Sequence, residues 1–187
     1  MTTLSDSLLL KRTGQGDMAA FEALFHRHYD RVYGLLFRLV GNRDEAEDLT
    51  QEVFLKLYQR HFASGREHNV SAWLYRVATN MGYNAIRGRR RRWRRNTQLV
   101  PDATEQPATP AEKVARQETQ AAVRAALAHL SPRDSQLLLL RQMGLSYAEL
   151  ATVCEVAPSS VGTLLRRAAE AFREAYQEEV SDQEVSD

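Results

Sequence analysis

Apolar residues recur every three or four positions along most of the chain, a spacing that predicts α-helices. No convincing alternation of polar and β-branched residues indicates a strand. In the first half, the pattern predicts helices over about 17–40 and 43–60. A third long helix is predicted to begin after Asn69 or Ser71, and Gly41 is placed to end the first. The predicted fold class is therefore all-α.

Residues 96–112 interrupt the helical pattern, because Pro, Thr and Ala are frequent there and periodicity is lost. Fully extended, about 17 residues at about 3.3 Å each would reach about 55 Å. Helical spacing resumes afterwards and continues to about Tyr176. The chain is therefore predicted to comprise a first domain (1–95), a flexible linker (96–112), a second domain (113–176) and an acidic, disordered tail (177–187).

The second domain contains the strongest local motif. Ser146 and Glu149 have the spacing of a capping box, which starts a short helix. A tight turn and a longer helix follow, which is the pattern of a helix-turn-helix. An ordinary helical hairpin is the alternative. The side chains predicted on the outer face of the second helix, where they could bond phosphates and base edges, are Ser159, Ser160, Thr163, Arg166 and Arg167.

The charge is distributed unevenly along the chain. Residues 87–95 carry seven arginines and Trp93, although the formal net charge is only +1. Without those seven charges it would be −6. Such a concentration predicts binding to a polyanion, and a tryptophan among the arginines could stack on a base. By itself, the tract could also be a solvated basic segment.

A third feature lies on the second predicted helix. Asp48, Gln51 and Glu52 are three and four residues apart, so they share one helix face opposite the predicted apolar face. That acidic and amide surface could bind a basic partner helix through complementary charge. Taken alone, such a segment is more often a solvated helix face.

Several classes of function have no support in the sequence. The single cysteine, Cys154, excludes an intrachain disulfide framework and fits a reducing cytoplasm. No signal peptide and no membrane-spanning stretch is found, so a soluble, cytoplasmic protein is predicted. His26 and His28 point to different helix faces, and no metal site, cofactor, catalytic residue or enzymatic activity is expected.

Three segments, in this order, resemble the extracytoplasmic-function (group IV) sigma factors. AEDLTQEVFLKLY is similar to that family's polymerase-binding helix, and SAWLYRVATNMGYNAIRGRRRR to its promoter-melting helix, which contacts the minus-ten element. LSPRDSQLLLLRQMGLSYAELATVCEVAPSSVGTLLRRA is similar to its minus-thirty-five-element domain. The resemblance covers about residues 18–95 and 118–176 and implies two helical domains, a sigma region 2 bundle and a sigma region 4 helix-turn-helix.

The resemblance also implies roles for particular residues. Asp48, Gln51 and Glu52 match the contacts to the clamp helices of the largest subunit of core RNA polymerase. The loop 63–70 matches the segment that captures a flipped base, and Trp73 matches a core residue. The positions that match contacts to promoter DNA on the third helix are Asn80, Tyr83, Arg87, Arg90 and Arg91.

The chain departs from the family pattern at the recognition helix. Where a Gly-Thr-Val-Lys-Ser-Arg-like run is usual, residues 159–164 read SSVGTL, so two basic side chains are missing. Gly162 also costs about 1 kcal/mol of helix propensity relative to alanine. These differences predict a larger role for Arg166 and Arg167. On the third helix, Asn84 replaces a common aspartate.

The resemblance implies that core RNA polymerase and promoter DNA are partners, and that an anti-sigma factor commonly holds the free protein inactive. The five carboxylates of residues 177–187 suggest another hypothesis, in which the tail shields the basic surfaces. Two alternatives remain at this point. One is a stand-alone helix-turn-helix regulator that binds as a dimer, and the other is an RNA-binding adaptor built on the arginine tract.

Overall fold

The computed structural model describes residues 4–60, 69–95 and 110–184, with side chains described outside 90–118 and 182–184. This part of the chain is helical and contains no strand, which confirms the predicted all-α class. Its helices are α1 (Asp6–Thr13), α2 (Met18–Val40), α3 (Arg43–Gln59), α4 (Val70–Arg95), α5 (Pro110–His129), α6 (Pro132–Gln142), α7 (Tyr147–Cys154) and α8 (Val161–Glu184), with a 3₁₀ turn at Pro158–Ser160.

The first domain is built on α2, which packs against α1, α3 and α4. Asp17 caps the start of α2, and Gly41 ends it, as predicted, in the left-handed conformation at φ 72°. Asn69, rather than Ser71, accepts the capping hydrogen bond of α4 from the Ala72 amide at 2.8 Å. These caps determine where the chain leaves each helix and therefore how α3 and α4 approach α2.

Helix α1 was not predicted, because its eight residues are too few to show a clear period. Ser5 caps it, and Leu9 and Leu10 are buried against the first domain. The carboxylate of Asp6 contacts the Nε2 atom of buried His28 at 2.7 Å and also pairs with Arg27. His28 is therefore held by an acidic partner inside the fold, as part of the attachment of α1 to α2.

The second domain consists of α5–α8, and α7 begins where the sequence predicted. Ser131 caps α6, and Ser146 with Glu149 forms the complete capping box of α7. Helix α8, however, continues to Glu184, so the predicted end near Tyr176 and the predicted disorder of 177–184 are wrong. The reason is that α8 packs along α5, where Glu179 contacts the His129 ring at 2.8 Å.

The two domains contact each other mainly through α4, with a smaller contact between α2 and α5. Helix α4 packs against α6 and α7, and one continuous apolar core extends from Leu9 to Val161. The sequence predicted two domains that move independently, whereas the structure joins them. The linker residues 96–109 lie outside the described residues, and α5 begins at Pro110 rather than after residue 112.

Candidate polymerase and nucleic-acid interface

The three predicted polymerase-binding residues lie on the exposed face of α3. Asp48, Gln51 and Glu52 are all exposed, and Glu52 pairs with Lys56 at 3.0 Å. The opposite face of α3 is anchored in the core by Ala46, Thr50, Val53, Phe54 and Leu57. Because these buried residues determine the rotation of α3, the acidic and amide side chains point to solvent together.

A shallow apolar groove of about 240 Å³ adjoins this face, and Gln51 forms part of its wall. Met18, Leu55 and Tyr58 also line the groove, and they are 59%, 51% and 44% exposed. Exposed apolar side chains that lie together in this way often mark a binding surface. Sequence reasoning missed the groove, although Leu55 and Tyr58 break the polar pattern of the exposed face of α3.

The predicted DNA-contacting residues of α4 are separated by the structure. Asn80 and Arg87 are exposed, whereas Tyr83 is only 3% exposed and its hydroxyl donates a hydrogen bond to the Leu130 carbonyl oxygen. The expectation that Tyr83 faces DNA is not met in this arrangement, because the second domain covers it. Arg90 and Arg91 belong to α4, but their side chains lie outside those described, as does that of Trp93.

Arg89 has a structural position that sequence reasoning missed. Its guanidinium donates to the Val40 carbonyl oxygen at 3.1 Å and pairs with Glu45. Val40 is the last residue of α2, where unpaired carbonyl groups favour a cation. This arginine therefore joins α4 to the end of α2 and the start of α3. Burial, followed by the repulsion of nearby Arg89, lowers the pKa of Arg124 at the same corner.

The helix-turn-helix comprises α7, the 3₁₀ turn and α8. Leu150, Val153 and Val161 are buried in the seam between its helices. Ser159 and Ser160 lie in the 3₁₀ turn, and α8 begins one residue later, at Val161. All five predicted contact residues are exposed, namely Ser159, Ser160, Thr163, Arg166 and Arg167. Arg166 pairs with Glu170, one turn further along α8, at 2.9 Å.

The buried thiol of Cys154 lies at the end of α7. Burial raises its pKa to about 11, although Arg133 and Arg76 favour the thiolate.

Within 4–60, 69–95 and 110–184, no group of three metal-binding side chains is present. No helix in those ranges is long and apolar enough to cross a membrane. His61, His68 and most of the predicted base-capturing loop 63–70 lie outside the described residues.

Comparison with known proteins identifies the family of each domain. The family model for Sigma-70 region 2 matches residues 24–92, and that for Sigma-70, region 4 matches residues 120–172. The chain is 32% identical to the RNA polymerase sigma-H factor of Pseudomonas aeruginosa, over 95% of this chain and 96% of that protein. It is 30% identical to the ECF RNA polymerase sigma-E factor of Haemophilus influenzae, over 93% and 96% of the two chains. The chain belongs to the extracytoplasmic-function (ECF) sigma factors.

The fold of this ECF sigma factor is also similar to that of a solved relative. In the co-crystal structure of the sigma factor RpoE with the anti-sigma factor NepR from Bartonella quintana, RpoE is 24% identical. The TM-score is 0.55, over 84% of this chain and 96% of that one. At this identity the likeness concerns the fold alone, and it agrees with two helical domains.

An ECF sigma factor is a promoter-specific transcription initiation factor, and this function accounts for both domains. Helices α2–α4 form region 2, and α5–α8 form region 4, whose helix-turn-helix binds DNA. The predicted sigma function is therefore confirmed. A stand-alone regulator would need no region 2, whereas this chain has one. An RNA-binding adaptor based on the arginine tract would leave region 4 without a role.

Proposed function

We propose that this ECF sigma factor binds core RNA polymerase through Asp48, Gln51 and Glu52 on α3. The partner surface is the clamp helices of the largest subunit. The observation that supports this assignment is the exposure of all three side chains on one face of a helix whose other face is buried. The clamp helices would also cover the adjoining groove at Leu55 and Tyr58, which is continuous with Gln51.

In the same complex, α4 holds the opened minus-ten element. Asn80, Arg87, Arg90 and Arg91 contact the DNA, and Tyr83 joins them when the second domain moves away from α4. Flipping a base out of the stack costs a few kcal/mol. Phosphate contacts made by the arginine tract offset this cost and make binding strongly dependent on salt.

The second domain binds the minus-thirty-five element as duplex DNA. Hydroxyl groups of Ser159, Ser160 and Thr163 contact phosphates and base edges, while Arg166 and Arg167 supply the positive charge. Their exposure at the start of α8 supports this role. Because two basic side chains of the usual family pattern are missing, the two arginines and region 2 contribute most of the promoter affinity.

The polymerase supplies the chemistry, and this chain contributes no catalytic residue and no cofactor. It acts in the cytoplasm, where core polymerase and the chromosome are found. An anti-sigma factor would hold the free protein inactive, as the resemblance implies. The RpoE relative was solved with such a partner.

Charge reversal on α3 tests the polymerase assignment. Asp48→Arg and Glu52→Arg should each abolish co-elution with core polymerase in gel filtration, because a cation would face the basic partner surface. Glu174→Arg is the matched control, since it reverses an equally exposed carboxylate on α8 in the second domain. It should co-elute like the unmodified chain.

Run-off transcription on genomic fragments provides the functional readout. Core polymerase with the unmodified chain or Glu174→Arg should start RNA synthesis at discrete sites, whereas the two α3 variants should give none. Normal co-elution of Asp48→Arg and Glu52→Arg would show that the α3 face is not the polymerase contact. Failure of the unmodified chain to direct any discrete start would refute the proposed function itself.

A further inference from the structure

The contact between the two domains is concentrated on one stripe of α4. Arg76, Thr79, Tyr83 and Ile86 are spaced at three and four residues, so they share a helix face. Thr79, Tyr83 and Ile86 are at most 7% exposed. Tyr83 belongs to the surface assigned to the minus-ten element, so this stripe lies where region 2 would hold DNA.

Arg76 completes a helix end in the other domain. Its Nε atom donates to the Val153 carbonyl oxygen at 3.0 Å, and its Nη2 atom donates to that of Thr152 at 3.1 Å. Both carbonyls lie in the last turn of α7, where no amide of the helix donates a hydrogen bond to them. Its Nη1 atom pairs with Glu155, the residue that ends α7.

Tyr83 makes an equivalent contact seven residues further along α4. Its hydroxyl donates to the carbonyl oxygen of Leu130, immediately after the end of α5. The Arg87 guanidinium lies 5.6 Å from the centre of the Tyr83 ring, so this contact also involves a predicted DNA-binding arginine. Both polar contacts of the stripe therefore satisfy carbonyl groups at the ends of region 4 helices.

This closed arrangement is incompatible with simultaneous binding to both promoter elements. The minus-ten and minus-thirty-five elements are about 25 base pairs apart, or about 85 Å at about 3.4 Å per base pair. Two domains joined by direct side-chain contacts cannot bridge that distance. A linker of about 17 residues, which reaches about 55 Å when extended, allows them to separate.

We propose that the α4 stripe has two alternative partners, the region 4 domain of the same chain and promoter DNA, and that Arg76 stabilises the closed form. The proposal rests on the assignment of α4 to the minus-ten element. In the free protein, region 4 covers Tyr83 and holds the domains together. Polymerase and DNA bind the open form. The apparent affinity for DNA is therefore the affinity of the open form multiplied by the fraction of molecules that are open.

The first test is the size of the free, full-length protein in solution, measured by small-angle X-ray scattering. A compact chain of this length should have a radius of gyration of about 16 Å. Two separated domains on the linker should exceed about 22 Å. We expect the compact value for the unmodified chain and the larger one for Arg76→Ala combined with Tyr83→Phe. An expanded unmodified chain would overturn the proposal.

The second test is affinity for a labelled, random-sequence single-stranded DNA of about 30 nucleotides. Arg76→Ala removes charge-assisted hydrogen bonds to region 4 without touching the assigned DNA contacts, so binding should tighten about tenfold. Arg173→Ala is the matched control, because it removes an exposed arginine of α8, and it should bind like the unmodified chain. Unchanged size and unchanged affinity in the Arg76 variants would also overturn the proposal.

A third variant separates opening from damage to α7. Glu155 ends α7 at φ 55°, a conformation that glycine adopts without strain. Glu155→Gly therefore removes the carboxylate that pairs with Arg76 and leaves α7 and its two carbonyl contacts intact. It should shift DNA binding in the same direction by a smaller factor. If no variant binds single-stranded DNA, the assignment of α4 fails, whereas scattering still reports whether the domains close.

Discussion

The packing of α4 on α2 determines where region 2 presents its DNA-facing helix, and Gly82 makes that packing possible. A Cβ atom at Gly82 would lie 2.8 Å from Leu39 Cδ1 and 3.1 Å from Leu36 Cδ2. Both leucines are fully buried in the core, so neither has space to move away. Gly82→Ala should therefore push α4 off α2.

The expected loss of stability is the difference between two opposing effects. Alanine gains about 1 kcal/mol over glycine within a helix. Added volume in a filled core costs about 1–3 kcal/mol. Gly82→Ala should therefore lower the free energy of unfolding by up to about 2 kcal/mol, despite the better helix propensity of alanine.

Gly162→Ala is the matched substitution in region 4. A Cβ atom there would lie 3.6 Å from Tyr147 Cε2, an ordinary contact with an exposed ring. This variant should gain up to about 1 kcal/mol, since it has no packing cost. The two alanine variants should therefore differ by about 1–3 kcal/mol, with opposite effects on stability.

Urea unfolding of the full chain measures both effects. The two tryptophans, Trp73 and Trp93, are both in α4, so their fluorescence follows region 2, while circular dichroism follows all helices. The midpoint of the fluorescence transition should fall in Gly82→Ala and stay unchanged in Gly162→Ala. Equal shifts of the fluorescence midpoint in the two variants would refute the packing argument.

Two further predictions concern region 4. Ser146→Ala should cost about 1 kcal/mol, because α7 loses its cap. Hydrogen bonds from Ser146 lower the pKa of Glu149, so this stabilisation is present above the ordinary glutamate pKa and is lost as pH falls through the lowered value. The difference between the melting temperatures of the variant and the unmodified chain should therefore shrink in acid, where only the bond from the Glu149 amide to Ser146 Oγ remains. A difference that does not change with pH would contradict the role of the Glu149 carboxylate in the cap. Burial raises the pKa of Cys154 to about 11, so its thiol should react with a disulfide reagent at pH 8 far more slowly in the native protein than in urea. Equal rates would show that the thiol is accessible.

Region 2 and region 4 could be predicted from local patterns because their helices carry strong signals. Asp17, Gly41 and Ser146 end or begin helices through their own side chains and backbone freedom, so neighbouring residues suffice to locate them. The exposed face of α3 follows from spacing in the same way. Helix α1 escaped prediction because its eight residues show no clear period, and the end of α8 because packing along α5 extends that helix.

The amino-acid sequence by itself determined the helix class, the helix-turn-helix, the acidic face of α3 and the cationic end of α4. Each depends on residues within a few turns of one another. Only the tertiary structure decided that Tyr83 is covered, that Arg89 joins α4 to the end of α2 and the start of α3, and that Arg76 completes α7 in the other domain. Those roles depend on carbonyl groups far along the chain, and helical periodicity carries no information about which distant backbone groups will approach a given side chain.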